Sequence, residues 1–89
     1  MTTRKELETI KKKVLTVLNS KSVTGHRIRI KTTEDSDLVF YISDVRITEQ
    51  TFFLDITDKN CDIHLMISYE DIKEIEDRVT LEVLYEKVN

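Results

Sequence analysis

The first twenty residues carry apolar side chains on one face of a predicted helix. The apolar positions follow one another at intervals of three, four, three and one, which is the period of an α-helix with a single apolar stripe; they are Leu7, Ile10, Val14, Val17 and Leu18. Thr3 followed by Glu6 is typical of a capping box, because a hydroxyl and a carboxylate can bind the unpaired amides of a first helical turn. The sequence predicts a helix over residues 3–19.

The rest of the chain changes to the two-residue alternation of β-strands. Five segments alternate in this way and are separated by short polar turns; they are residues 23–32, 38–47, 51–57, 62–67 and 79–85. The second segment shifts phase after Ser43, which predicts a bend that passes one strand from one sheet into another. The apolar phase predicts a core that includes Phe40, Ile42, Leu54, Leu65 and Ile72. No internal repeat is apparent.

Residues 68–76 lie between the last two predicted strands and favour a short helical turn. Ser68 can cap the first amides, and Ile72 and Ile75 are three positions apart. This order of a helix, four strands, a helical turn and a last strand resembles the Sm-like and SH3-like small β-barrels, and residues 67–75 resemble the segment before their last strand. The resemblance implies a mainly β (α+β) fold with a five-stranded barrel. We expect one domain over residues 1–89, with the helix at 3–19 and the barrel at 23–88.

The net charge of −3 conceals an uneven distribution along the chain. Residues 1–31 carry nine basic and two acidic side chains, whereas residues 32–89 carry five basic and fifteen acidic ones. A possible basic face for nucleic acid or another partner consists of Lys11, Lys12, Lys13, Arg27, Arg29 and Lys31. A possible acidic partner face consists of Glu70, Asp71, Glu74 and Glu76. The same asymmetry could equally pair within one chain or between copies.

Several kinds of chemistry lack the residues that they need. The acidic turn at residues 58–62 lacks the glycine and the bidentate glutamate of a calcium-binding loop. One cysteine and two histidines do not make a zinc site, and Gly25 alone does not make a phosphate-binding loop. We therefore expect no catalytic residues, no metal, no cofactor and no enzymatic activity. No segment is typical of a secretory signal or of a membrane span, so we expect a cytoplasmic protein without a membrane partner.

These observations predict a non-enzymatic module that binds a protein partner or associates with itself. The excess of acidic residues and the lack of aromatic side chains among residues 1–31 favour a protein over a nucleic acid. The alternative is an Sm-like RNA- or DNA-binding protein that uses the basic face. A third hypothesis is a small enzyme or enzyme subunit. Opposite charges on one chain would suit a head-to-tail homo-oligomer, and the ring assemblies of Sm-like barrels imply the same.

Overall fold

The computed structural model of the chain describes residues 3–87. The ends of the predicted domain (1–89) and of the predicted barrel (23–88) therefore lie outside the described residues. The chain begins with helix α1, Arg4–Leu18, which starts where the Thr3 hydroxyl accepts a hydrogen bond from the Glu6 amide at 3.1 Å. Leu7, Val14 and Leu18 are buried on its inner face, as the apolar stripe predicts.

Within the described residues, seven strands follow the helix and form two antiparallel sheets. The strands are β1 Arg27–Thr32, β2 Asp37–Tyr41, β3 Val45–Glu49, β4 Phe53–Asp58, β5 His64–Ser68, β6 Ile72–Asp77 and β7 Val83–Glu86. The first sheet has the order β2-β1-β6-β7 and the second has the order β3-β4-β5. Short 3-10 helices span Lys21–Val23, Ile42–Asp44 and Tyr69–Asp71. The protein is thus an α+β fold with one N-terminal helix and two sheets, and the strand pairing of the described residues does not close a barrel.

The phase shift within residues 38–47 marks a change of sheet, as predicted. β2 belongs to the first sheet and β3 to the second, and the 3-10 helix Ile42–Asp44 connects them. This turn reverses which side chains face inward. Phe40 and Ile42 are partly buried before and within the turn, and Val45 is buried after it.

The prediction for residues 68–76 is wrong over most of their length. Only Tyr69–Asp71 is helical, and Ile72 begins strand β6. Ile72 and Ile75 are both fully buried, although residues three apart in a regular strand face opposite sides. The pairing explains this, because Thr32 lies opposite Ile72 and Lys31 lies opposite Glu74, so that Lys73 is an extra residue at a bulge. The bulge gives a strand the apolar spacing of a helix.

The structure contains an internal repeat that the sequence did not reveal. Residues 27–49 and residues 53–77 each form a hairpin, a 3-10 helix and a third strand. Each third strand pairs with the hairpin of the other unit, since β3 lies beside β4 and β6 beside β1.

Hydrogen bonds at the two 3-10 helices repeat as well. The Asp44 carbonyl accepts a bond from the Lys59 amide at 3.0 Å, and the Asp71 carbonyl accepts one from the Thr33 amide at 2.8 Å. In both units the last residue of the 3-10 helix is thus bound to the hairpin turn of the other unit. The two units have exchanged their third strands.

One apolar core unites α1 with both sheets. The buried residues from the sheets include Ile28 and Ile30 of β1, Leu54 and Ile56 of β4, and Ile72 and Ile75 of β6. The predicted core positions Leu54 and Ile72 are therefore confirmed. Leu65 is not buried, since 40% of it is exposed.

Candidate interaction site between strands β2 and β5

The two sheets leave four strands at their edges, and the surroundings of these edges differ. Helix α1 packs against β7, and its Lys11 lies 3.4 Å from Glu49 at the end of β3. α1 therefore lies beside β7 and beside the end of β3. The remaining edge strands, β2 and β5, border a groove of about 410 Å³.

This β2–β5 groove is lined by apolar, acidic and small polar side chains. The lining residues are Thr32, Glu34, Ser36, Asp37, Leu38, Leu65, Met66, Ile67, Ser68 and Asp71. Leu38 and Leu65 occupy equivalent places in the repeat, because Leu38 lies opposite Ile30 in the first hairpin and Leu65 lies opposite Ile56 in the second. The groove thus lies between the equivalent outer strands of the two hairpins.

Leu65 is exposed because of this groove and not because it points outward. It lies opposite Ile56, which is buried, and side chains of an antiparallel pair share one face of the sheet. Leu65 therefore faces the inner side of its sheet, where Ile67 two positions later is buried. An inward-facing leucine on an edge strand remains exposed here because β2 does not pair with β5.

The backbone of both strands offers unpaired hydrogen-bonding groups to this side. In the second hairpin the Asp58 amide donates to the Ile63 carbonyl and the Tyr69 amide donates to the Phe52 carbonyl, which fixes the alternation of the ladder. The amides and carbonyls of His64, Met66 and Ser68 therefore point away from β4.

The same reasoning applies to the first hairpin. The Thr32 amide donates to the Ser36 carbonyl, and the Ile42 amide donates to the His26 carbonyl. The backbone groups of Asp37, Val39 and Tyr41 therefore point away from β1. Both borders of the groove are available to pair with another strand.

Asp37 at the start of β2 is a charged residue on this edge, but the rest of β2 and all of β5 lack the charged side chains that usually protect an exposed edge. Residues 38–43 and 63–68 contain no Asp, Glu, Lys or Arg, and Val39, Tyr41, Leu65 and Met66 are exposed. Natural proteins commonly place lysine, proline or a bulge on an edge strand to prevent pairing with other chains. The lack of such protection marks these edges as a candidate interaction site, which the sequence analysis did not single out.

The basic residues of β1 lie beside acidic residues of the same sheet. Arg29 Nη2 donates to Glu74 Oε2 at 2.8 Å, its Nε lies 3.4 Å from Glu76, and its Nη1 lies 3.7 Å from Asp37. Lys31 lies opposite Glu74 in the strand pairing. The predicted acidic residues Glu74 and Glu76 thus meet the predicted basic residues within one chain.

The other predicted residues lie elsewhere. Lys12 and Lys13 are exposed on α1, whereas β1 lies between β2 and β6. Glu70 accepts a hydrogen bond from Lys87 through its carbonyl at 2.7 Å, and Asp71 lines the β2–β5 groove. Of the four predicted acidic residues, only Asp71 borders the groove.

The buried carboxylate of Asp77 fastens the turn between β6 and β7 through hydrogen bonds. Asp77 Oδ2 lies 2.8 Å from His26 Nδ1, and Asp77 Oδ1 accepts hydrogen bonds from the amides of Val79 and Thr80. Burial by itself raises the pKa of the Asp77 carboxyl, but the bonds from His26, Val79 and Thr80 outweigh burial and lower it. The Asp77 carboxylate therefore has a structural role, because it stabilises the turn between β6 and β7.

A second polar cluster lies on the outer face of the other sheet. His64 Nδ1 is 3.2 Å from Asp55 Oδ1 and 3.1 Å from Thr57 Oγ1. A serine- or threonine-based nucleophile needs the hydroxyl and the carboxylate on opposite ring nitrogens of the histidine. Here both lie at the same nitrogen, so the cluster does not have the geometry of a catalytic triad.

Tyr69 is fully buried, and its hydroxyl lies near the Gln50 backbone without forming a hydrogen bond of good geometry. Burial, followed by the negative charge of Glu49, raises its pKa to about 12. The side chain therefore stays neutral and serves as part of the core.

Within residues 3–87 no cluster of three or more His, Cys, Asp or Glu side chains is arranged to hold a metal ion. Over the same residues, no helix has the length and apolarity that crossing a membrane requires. Comparison of the chain with family models, with curated proteins and with solved structures found no significant match.

Proposed function

We propose that this protein is a non-enzymatic interaction module that binds an extended segment of another protein at the β2–β5 groove. The observation that carries this proposal is Leu65, which faces the inner side of its sheet and is nevertheless 40% exposed. Beside it, Met66 is 62% exposed. A partner strand at this edge would bury both side chains.

Strand addition fits the groove because both of its borders offer a free strand edge. In this mode of binding the backbone of an extended segment pairs with an exposed edge, and alternate side chains enter pockets beside it. His64, Met66 and Ser68 would supply amides and carbonyls on β5. Leu65 and Leu38 would supply the apolar surface for a side chain of the partner.

A foreign segment suits the groove better than a second copy of this chain. Glu34, Asp37 and Asp71 line it without a lysine or arginine. Two copies meeting through this groove would bring these carboxylates together, and like charges repel. The head-to-tail assembly predicted from the sequence is not favoured either, because Glu74 and Glu76 already contact Arg29.

The binding of a strand in the groove would also account for the resemblance to small β-barrels. A strand bound between β2 and β5 would pair with one sheet and border the other along the side where they are now separate. The complex would then approach the closed arrangement of Sm-like or SH3-like barrels. In this hypothesis the resemblance describes the bound form of the domain.

The groups with shifted pKa values lie away from the β2–β5 groove. The pKa of Asp77 is lowered, and the pKa values of Tyr69 and Tyr85 are raised by burial. Catalytic groups with shifted pKa values usually lie in a cleft. All three are buried and none lines the β2–β5 groove, although Tyr85 lines a separate cavity beside α1.

Selection of linear peptides can test the proposal. A phage-displayed library of random linear peptides would be panned against the immobilised protein, and the selected peptides would then be tested on two variants. Met66→Pro removes a β5 amide that points away from β4 and toward the groove, so no hydrogen bond to β4 is lost. Met66→Ala shortens the same side chain and keeps this amide. We expect binding to the wild type and to Met66→Ala, and loss of binding to Met66→Pro.

Amide exchange gives an independent readout of the same complex. The amides of His64, Met66 and Ser68 should become protected when a selected peptide binds. Selection of no peptide, or equal binding by the Met66→Pro variant, would overturn the proposal.

One observation favours nucleic-acid binding as a second candidate. Tyr41 is exposed and lies opposite Arg27 on the outer face of the first sheet, so a base could stack beside a cation. Glu76 of the same sheet, which contacts Arg29 and Arg78, opposes a phosphate there. Salt-sensitive binding of single-stranded RNA that is lost in Arg27→Gln and Tyr41→Ala, with no peptide selected, would support this alternative instead.

A further inference from the structure

We infer that the segment bound in the β2–β5 groove alternates apolar residues with lysine or arginine. This inference rests on the proposed function and adds the chemical class of the partner. It follows from the charges and apolar surfaces that line the groove.

The acidic residues of the groove are available to a partner. Within residues 3–87, Glu34 and Asp71 make no ion pair, and both are exposed. Asp37 has only the 3.7 Å contact with Arg29. Carboxylates that are not neutralised by their own chain attract a cationic partner and repel an anionic one.

The apolar residues of the groove define the other half of the motif. Leu38, Leu65 and Ile67 lie on the inner side of their strands, and Met66 on the outer side. Successive side chains of an extended segment point to opposite sides. A segment with apolar residues at every second position can therefore place them against Leu38 and Leu65, and place its cations toward the acidic rim.

Charge would determine which segment binds, and backbone pairing with apolar burial would supply most of the affinity. Exposed ion pairs are individually weak and are screened by salt. We therefore expect a preference for basic peptides of about tenfold at low salt, which becomes smaller as salt is added.

Three synthetic peptides can test the inference. They share alternating valines and differ only at the intervening positions, which are all lysine, all glutamine or all glutamate. Their binding to the full chain would be measured by fluorescence polarisation at low and high salt. We expect the lysine peptide to bind most tightly and the glutamate peptide most weakly.

Charge variants separate the groove from the general acidity of the protein. The double variant Glu34→Gln and Asp71→Asn removes two charges from the groove and leaves the backbone carbonyl of Asp71 in place. Glu82→Gln removes one charge from the turn before β7, outside the groove. The preference for lysine over glutamine should largely disappear in the double variant and persist in Glu82→Gln.

The Met66→Pro variant distinguishes the two possible failures. If the three peptides bind equally and Met66→Pro abolishes their binding, the inference is wrong and the proposed function stands. If none of the three peptides binds, the inference is wrong and the library selection decides the proposed function. If Met66→Pro binds all three as the wild type does, both are wrong. A lysine preference that survives in the double variant would also overturn the inference.

Discussion

The sheet edges beside helix α1 and the sheet edges beside the β2–β5 groove differ in how their unpaired backbone groups are covered. Every open sheet ends in strands with unpaired backbone groups. On one side, α1 lies beside β7 and the end of β3, and Leu7, Val14 and Leu18 of the helix are buried. On the other side, no helix of residues 3–87 lies beside β2 and β5, and Leu65 remains exposed although it faces the inner side of its sheet. Apolar side chains are exposed near β7 as well, but Val79 and Leu81 belong to the preceding turn, and Val83 lies opposite Glu76 and not opposite a buried residue.

This difference separates a side of the protein that contributes to stability, beside α1, from a side that is available for binding, at the β2–β5 groove. The two hairpins are equivalent in pairing and in their 3-10 connections, so the internal repeat alone would not distinguish one side from the other. The helix and β7 are additions outside the repeat, and they cover only one side. The chain covers the side beside β7 with a helix and leaves the β2–β5 groove uncovered. This contrast supports the groove as the binding surface for a partner.

The largest expected difference between the two sides comes from a matched pair of leucines. Leu18→Ala removes a side chain on the inner face of α1 that is 2% exposed, and it should lower the free energy of unfolding by about 2–5 kcal/mol. Leu65→Ala removes one that is 40% exposed beside the groove, and it should cost about 1 kcal/mol or less. Urea unfolding of both variants would check this, and equal losses would mean that the groove is closed in solution.

The turn that leads into β7 offers a second, smaller effect. Asp77→Ala leaves the amides of Val79 and Thr80 without their acceptor, and we expect a loss of about 1–3 kcal/mol. Asp58→Ala is a matched control in the turn between β4 and β5, where the carboxylate accepts a bond from the Asn60 amide at 2.8 Å. Because Asp58 is less buried, its replacement should cost less. A larger loss for Asp58→Ala would contradict the role of Asp77 in fastening the turn between β6 and β7.

The same carboxyl predicts a pH dependence. The pKa of Asp77 is lower in the folded chain than its ordinary value of 3.8, so the folded state binds this proton less readily than the unfolded state. The contribution of Asp77 to stability is therefore present above pH 3.8 and disappears as the pH falls through the lowered pKa. The stability difference between the wild type and Asp77→Ala should shrink over that acidic range, and a constant difference would exclude a charged role for Asp77.

The smallest expected effect concerns the first turn of the covering helix. Thr3→Ala removes the hydroxyl that accepts the Glu6 amide, and helix caps of this kind contribute about 1 kcal/mol. Thr16→Ala places the same substitution in the exposed interior of α1, where alanine favours the helix and a slight gain is expected. Thermal unfolding should therefore move in opposite directions for the two variants, and a loss in both would contradict the capping role.

Local patterns in the sequence were sufficient to predict the helix and the change of sheet. The spacing of Leu7, Val14 and Leu18 follows the helical period throughout, and the phase shift after Ser43 marks the point where the chain leaves the first sheet. Both features depend on residues close together in sequence. A local sequence pattern is therefore sufficient to predict both of them.

Pairing between distant segments could not be predicted in the same way. Ile72 and Ile75 gave β6 the spacing of a helix, because the bulge that produces the spacing is defined by Thr32 and Lys31 on another strand. Leu65 has the alternation of a core residue, and only the absence of pairing between β2 and β5 leaves it exposed. The groove was missed for the same reason, since its two borders meet only in the folded chain.

The exchange of third strands between the two units has a consequence for how fast the chain folds. Each hairpin can form from neighbouring residues, but β1 acquires its second partner only when Ile28 meets Asp77 and Ile30 meets Ile75. Contacts so distant in sequence require closure of a long loop before they gain any energy, and a high proportion of them slows folding. The first sheet cannot be completed until β6 pairs with β1. We therefore expect the pairing of β6 with β1 to limit the rate of folding.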